Sequence, residues 1–104
     1  MNTLRHEIHR RIKKELEEQS NNISPKNNLA IEIQNDHNEI EFAFELICLE
    51  FALENLRPLV FEIEELVSIA RFLYLDGHVA RSENFMSRLE QFVKDFSSAS
   101  DPHQ

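Results

Sequence analysis

The sequence predicts an all-α fold, and three observations carry that prediction. One glycine and three prolines in 104 residues leave few sites for tight β-turns. The supply of Leu, Ile, Glu, Phe and Lys suits helices, with Asn-rich stretches as the corners between them. Finally, Glu39 to Leu56, EIEFAFELICLEFALENL, places its apolar residues on two opposite faces when wound at about 100° per residue. Ile40, Phe44, Ile47 and Phe51 make the first face, and Phe42, Leu46, Leu49 and Leu53 the second. Glu41 and Glu45 line one flank between them; Glu39, Glu50 and Glu54 line the other. A helix with two apolar faces needs neighbours on both sides.

The length supports one core and no second substantial domain, so residues 1–104 are expected to form a single bundle of about five helices around a central helix over 39–56. The first helix is expected over 3–19. Thr3 is placed to cap it, and Leu4, Ile8, Ile12 and Leu16 form a narrow apolar stripe among charged positions. After a polar corner, Ser24-Pro25 gives an N-cap and a proline at the first helical position. Leu29, Ile31 and Ile33 alternate as in a strand, while Leu29, Ala30 and Ile33 also suit a helix. A lone strand would have no partner, so a short helix is expected over 26–35. Asp36-His37-Asn38 then turns into the central helix.

Arg57-Pro58 ends that helix, and a fourth is expected over 61–75, with Gly77 suited to its cap. Ile63, Leu66, Val67, Ala70, Leu73 and Tyr74 form its core face. Phe61, Phe72 and Leu75 stand on the other side among Glu64, Glu65 and Ser68. A last amphipathic helix over 80–96 closes the core through Phe85, Met86, Leu89, Phe92, Val93 and Phe96, and residues 97–104 read as a frayed polar tail.

Charge narrows the function. Residues 1–26 carry six Lys/Arg against four Glu, whereas residues 27–66 carry one Arg against ten Asp/Glu, and the whole chain stands at −8. A single-sign field of that kind argues against nucleic acid as a direct partner and for a cationic partner or simply for solubility. The basic face of the first helix, from His6 to Lys14, lacks interleaved aromatics and reads as a solvated face that could also lie beside the acidic middle of its own chain. A charged N-terminus and short apolar runs point to neither a signal peptide nor a membrane span, and to a cytoplasmic protein. The lone Cys48 reads as a small buried hydrophobe.

No catalytic machinery is expected. Surface carboxylates lack the contrasting environments that acid–base work needs, and one glycine excludes a phosphate-cradling loop. None of His6, His9, His37, His78 or His103 has Glu three residues before it, the spacing that helical di-iron sites use. Neither a cofactor nor a metal is therefore expected. What remains is a small acidic helical protein suited to binding a basic macromolecule.

The stretch from Asp36 to Gly77, about two-fifths of the chain, carries a resemblance. The residues are the corner Asp36-His37-Asn38-Glu39, the run Ala43-Phe44-Glu45-Leu46-Ile47-Cys48, the break Pro58-Leu59 and the helix Ile63-Glu64-Glu65-Leu66. They resemble the small immunity proteins of bacterial contact-dependent inhibition and Maf-type polymorphic toxin systems, although Asn38 stands where glycine is usual. The resemblance implies a non-enzymatic cytoplasmic protein that occludes the active site or substrate path of a cognate toxin, one to one. No binding residue carries over from the family.

Geometry supplies the candidates instead. Antiparallel packing of the central and fourth helices would set Glu50 and Glu54 beside Glu62, Glu64 and Glu65, with Phe61 and Phe72 as apolar anchors. A second group, Asp36, His37, Glu39 and Glu41, would gather with Asp76 at the opposite end. The alternative reading is an antitoxin-like regulator or a homo-oligomeric helical module.

Overall fold

With so little glycine, the chain turns its corners on asparagine. The computed structural model describes residues 3–73, 75 and 79–100, with backbone alone at Thr3 and 97–100. Asn38, Asn55 and Asn84 stand at φ 60°, 53° and 60°, the left-handed region that asparagine enters more readily than other residues bearing a Cβ. Among the described residues, five α-helices are joined at these and other turns: α1 Thr3–Glu18, α2 Pro25–Asp36, α3 Ile40–Glu54, α4 Leu66–Phe72 and α5 Phe85–Ser100. A 3-10 turn, Ile63–Glu65, leads into α4, and no strand occurs among the described residues.

The caps explain where α2 and α3 stop and start. Ser24 Oγ accepts the Asn27 N–H at 3.2 Å with Pro25 opening α2, so the ambiguous stretch is helical. At its end the Glu39 N–H reaches Gln34 O at 2.9 Å and the Asn38 N–H reaches Asn35 O at 3.2 Å, a Schellman closure around Asn38. Asn55 performs the same turn after α3, with the Leu56 N–H on Phe51 O at 2.9 Å. Asn38 thus adopts a conformation that glycine enters at no steric cost.

Helices α1, α2 and α3 run up, down and up. Asn28 Nδ2 donates to Leu16 O at 3.3 Å and Asn35 Nδ2 to His9 O at 3.1 Å, which stitches α2 antiparallel to α1. Arg5 Nη1 meets Glu41 Oε2 at 2.9 Å and so joins the starts of α1 and α3. Of the basic face from His6 to Lys14, Arg11 meets the acidic middle at Glu65, while His6, Arg10, Lys13 and Lys14 are exposed. The first face of α3, Ile40, Phe44, Ile47 and Phe51, is 0% exposed and forms the centre of the core. Ile8, Ile12, Ile31 and Leu66 pack into the same cluster, and Phe92 of α5 stacks on Phe51 at 6.5 Å between ring centroids. Truncating Phe44 to alanine in such a site costs about 3–5 kcal/mol.

Several expectations change. The second face of α3 is only partly covered: Phe42, Leu46 and Leu49 are half-buried, and Leu53 is 69% exposed. Leu4 is exposed as well, so the buried stripe of α1 is Ile8, Ile12 and Leu16. The fourth helix does not begin at Phe61. The N–H groups of Leu59, Val60 and Phe61 are bound by a side chain of α1, which holds that segment out of a helix until the turn at Ile63. The last helix starts at Phe85 and continues through Ser100, because Asn84 at positive φ sets its beginning and the Arg81 and Ser82 N–H groups are engaged elsewhere. Capping by Thr3 and Gly77, the core role of Tyr74, Asp76 at its end of the bundle and the tail beyond Ser100 fall outside the described residues.

Candidate interaction surface

Two glutamates that sequence alone left in the charged background hold the loops in place. Glu15 is 0% exposed. Its Oε1 accepts the Val60 N–H at 2.8 Å and the Phe61 N–H at 3.1 Å; its Oε2 accepts the Leu59 N–H at 2.8 Å and Gln19 Nε2 at 3.0 Å. Gln19 also donates to Arg57 O at 2.9 Å. A buried carboxylate is costly unless its lone pairs are occupied, and here four donors occupy them. Glu45, 2% exposed, does the same for the segment before α5, accepting the Arg81 N–H at 3.0 Å and the Ser82 N–H at 2.6 Å. A sequence signal exists for Glu15: it and Gln19 lie three and seven residues beyond Ile12, inside the apolar stripe rather than opposite it. Glu45 offers the weaker sign of a glutamate enclosed by an apolar run.

These bonds decide which ends of the helices meet. The C-terminal end of α1, the start of α2 and the end of α3 lie together with the loop from Asn55 to Glu62, as Asn27 Nδ2 to Glu50 Oε2 at 3.1 Å and the Glu15 contacts show. Glu17, Glu18, Glu54, Glu62 and Glu64 are exposed in these segments. Lys26 and Arg57 moderate the field, with Arg57 lying 5.8 Å from the Phe96 ring centroid.

The candidates fare unequally. Glu54, Glu62 and Glu64 are solvent-facing, whereas Glu50 is half-buried against Asn27 of α2. Glu65 is committed inside the fold: Arg11 pairs with both of its oxygens, and its Oε2 accepts the Glu62 N–H at 2.7 Å. Burial raises its pKa, but the Arg11 hydrogen bond, the Glu62 N–H and the Arg11 charge together outweigh this and hold it below the ordinary carboxylate value. Phe61 is not a surface anchor. It is 3% exposed, edge-on to Phe44 at 5.5 Å and under the Arg11 guanidinium at 4.5 Å, because the Glu15 clamp turns this segment inward. Phe72 is half-buried and packs against the core.

At the opposite end Asp36, His37 and Glu39 are exposed, His37 Nδ1 sits 2.9 Å from Ile33 O, and Glu41 is half-buried with Arg5. His6 and His9 stack at 6.2 Å between ring centroids, and no group of three or more His, Cys, Asp or Glu among the described residues could hold a metal ion. Cys48 is buried; desolvation raises its pKa well above the ordinary thiol value, and the charges of Glu15 and Glu45 add to that rise. No described helix is long and apolar enough to cross a membrane. Comparison with known protein families, with curated proteins and with solved structures finds no match to this chain.

Proposed function

We propose that this chain is an immunity protein: a cytoplasmic, non-enzymatic binder that neutralises a basic toxin, a nuclease by its charge, by covering the active site or the path of the substrate. The observation that carries this reading is that Glu17, Glu18, Glu54, Glu62 and Glu64 are exposed on segments that the Asn27–Glu50 and Glu15 contacts bring to one end of the bundle. Such a surface mimics the charge of the phosphates that a nuclease binds and steers a cationic partner toward it. Resemblance over Asp36 to Gly77 supports the same class. Of the residues expected at this surface, Glu65 and Phe61 serve the fold, and Glu54, Glu62 and Glu64 join Glu17 and Glu18 in facing solvent.

Co-production with the product of the adjacent gene tests the class: growth is expected to be restored and a one-to-one complex recovered, and unrelieved toxicity overturns it. Glu54→Lys with Glu64→Lys tests the surface and spares Glu62, the N-cap of the turn before α4. Both substituted residues are exposed, so helicity and melting temperature stay unchanged while association at low salt slows by about tenfold or more.

A further inference from the structure

The second apolar face of α3 is covered at one end and open at the other. Phe42, Leu46, Leu49 and Leu53 follow one another along it. Over Phe42 the Arg81 guanidinium lies 3.6 Å from the ring centroid, and Glu45 holds the Arg81 backbone in that place. Beyond it, two hollows meet on the leucines. One, of about 190 Å³, lies against α2 with Asn27 and Ala30 in its wall; the other, of about 520 Å³, lies against α5 with Arg88 and Phe92 in its wall. Leu49 and Leu53 line both, so the two hollows adjoin along an apolar strip of α3, a shallow trough between α2 and α5 from which the exposed Leu53 projects.

We propose that this trough receives an amphipathic helix of a basic partner protein, its apolar side chains seated on Leu49 and Leu53 and its Lys or Arg residues along the margins. The floor repeats at helical spacing, Leu46, Leu49 and Leu53, which an i, i+3, i+7 set of side chains matches. Glu50 stands at the α2 margin, Asp95 at the α5 margin and Glu54 next to Leu53, with Arg88 opposing them. A cationic helix is therefore favoured and an acidic one repelled. The same charges disfavour a second copy of this chain. A two-fold contact through the trough would set Glu50, Glu54 and Asp95 against their own counterparts in a chain of net charge −8. The proposal rests on the reading of the chain as a binder of a basic protein, and adds where the apolar contact is made.

Two synthetic peptides of about 14 residues, close to four helical turns, serve as probes. Both carry Leu at i, i+3, i+4 and i+7; one has Lys at the remaining positions, the other Glu. The Lys peptide is expected to bind one to one and to shift the backbone amide signals of Ala30, Leu46, Leu49, Leu53 and Phe92, while the Glu peptide does not bind. Leu53→Glu separates docking from plain charge attraction. It adds a negative charge, so purely electrostatic binding strengthens, whereas loss of the apolar seat weakens binding by about tenfold or more. Leu53 is exposed, so unchanged helicity and melting temperature accompany that loss, and Leu53→Ala gives a weaker effect in the same direction. Undiminished binding to Leu53→Glu, signal shifts away from the trough, or equal binding of the Glu peptide overturns the proposal. So does a wild-type dimer that Leu53→Glu converts to monomer. Unrelieved toxicity in co-production, with peptide docking intact, defeats the immunity reading alone; protection without peptide docking defeats the trough alone.

Discussion

Oε1 of Glu15 accepts the backbone N–H of Val60 at 2.8 Å, tying the first helix to a loop 45 residues further along the chain. With the neighbouring bonds to Leu59 and Phe61, this contact replaces a helical turn as the partner of three consecutive backbone donors. It turns Phe61 inward and leaves Glu62 and Glu64 facing solvent.

Glu15→Gln should therefore destabilise the whole fold. The amide keeps the volume but places an NH2 group where Oε2 now receives the Leu59 N–H and Gln19 Nε2, so donors face donors in a buried site. Urea unfolding is expected to show a loss of about 2–4 kcal/mol with a similar m-value. A loss within ~0.5 kcal/mol, the range of surface substitutions, contradicts the clamp.

Glu65 gives the protein an acid-side dependence. Its pKa is lower folded than unfolded, so its contribution is fully present above the unfolded carboxylate value and vanishes as pH falls through the depressed one. Compared by urea unfolding, wild type should exceed Glu65→Gln at neutral pH, and the gap should narrow once the medium falls below about pH 4.5. A gap independent of pH would mean that Glu65 contributes by packing and not by charge.

Cys48 should be inert in the native protein. Burial and the two neighbouring carboxylates disfavour the thiolate, which is the species that attacks a disulfide reagent. Reaction at pH 8 is expected to be slower than that of the urea-unfolded chain by about a hundredfold or more, and limited by opening of the fold. Equal rates would place the thiol at the surface.

Helix class, the first face of α3 and the Asn38 corner were legible because each depends on local periodicity or on the conformational freedom of single residues. Phe44 and Ile47 repeat at helical spacing whatever surrounds them, and Asn38 tolerates positive φ wherever it stands. The corners at Asn55 and Asn84, by contrast, fell inside the helices expected over 39–56 and 80–96. The candidate surface was legible only in part. Glu54, Glu62 and Glu64 remain exposed, but Glu65 and Phe61 joined the fold through Arg11 and Glu15, partners 54 and 46 residues away.

By itself, then, the sequence determined that the chain would be helical, acidic through its middle and centred on α3, since those properties follow from composition and from spacing within a few turns. Only the tertiary structure decided which glutamates are bound and which are free, because desolvating a carboxylate requires donors that the chain brings from elsewhere. It also decided that Phe42 is covered by Arg81 while Leu53 is not. The two residues share one face of one helix, and what covers each depends on how the later elements pack across it.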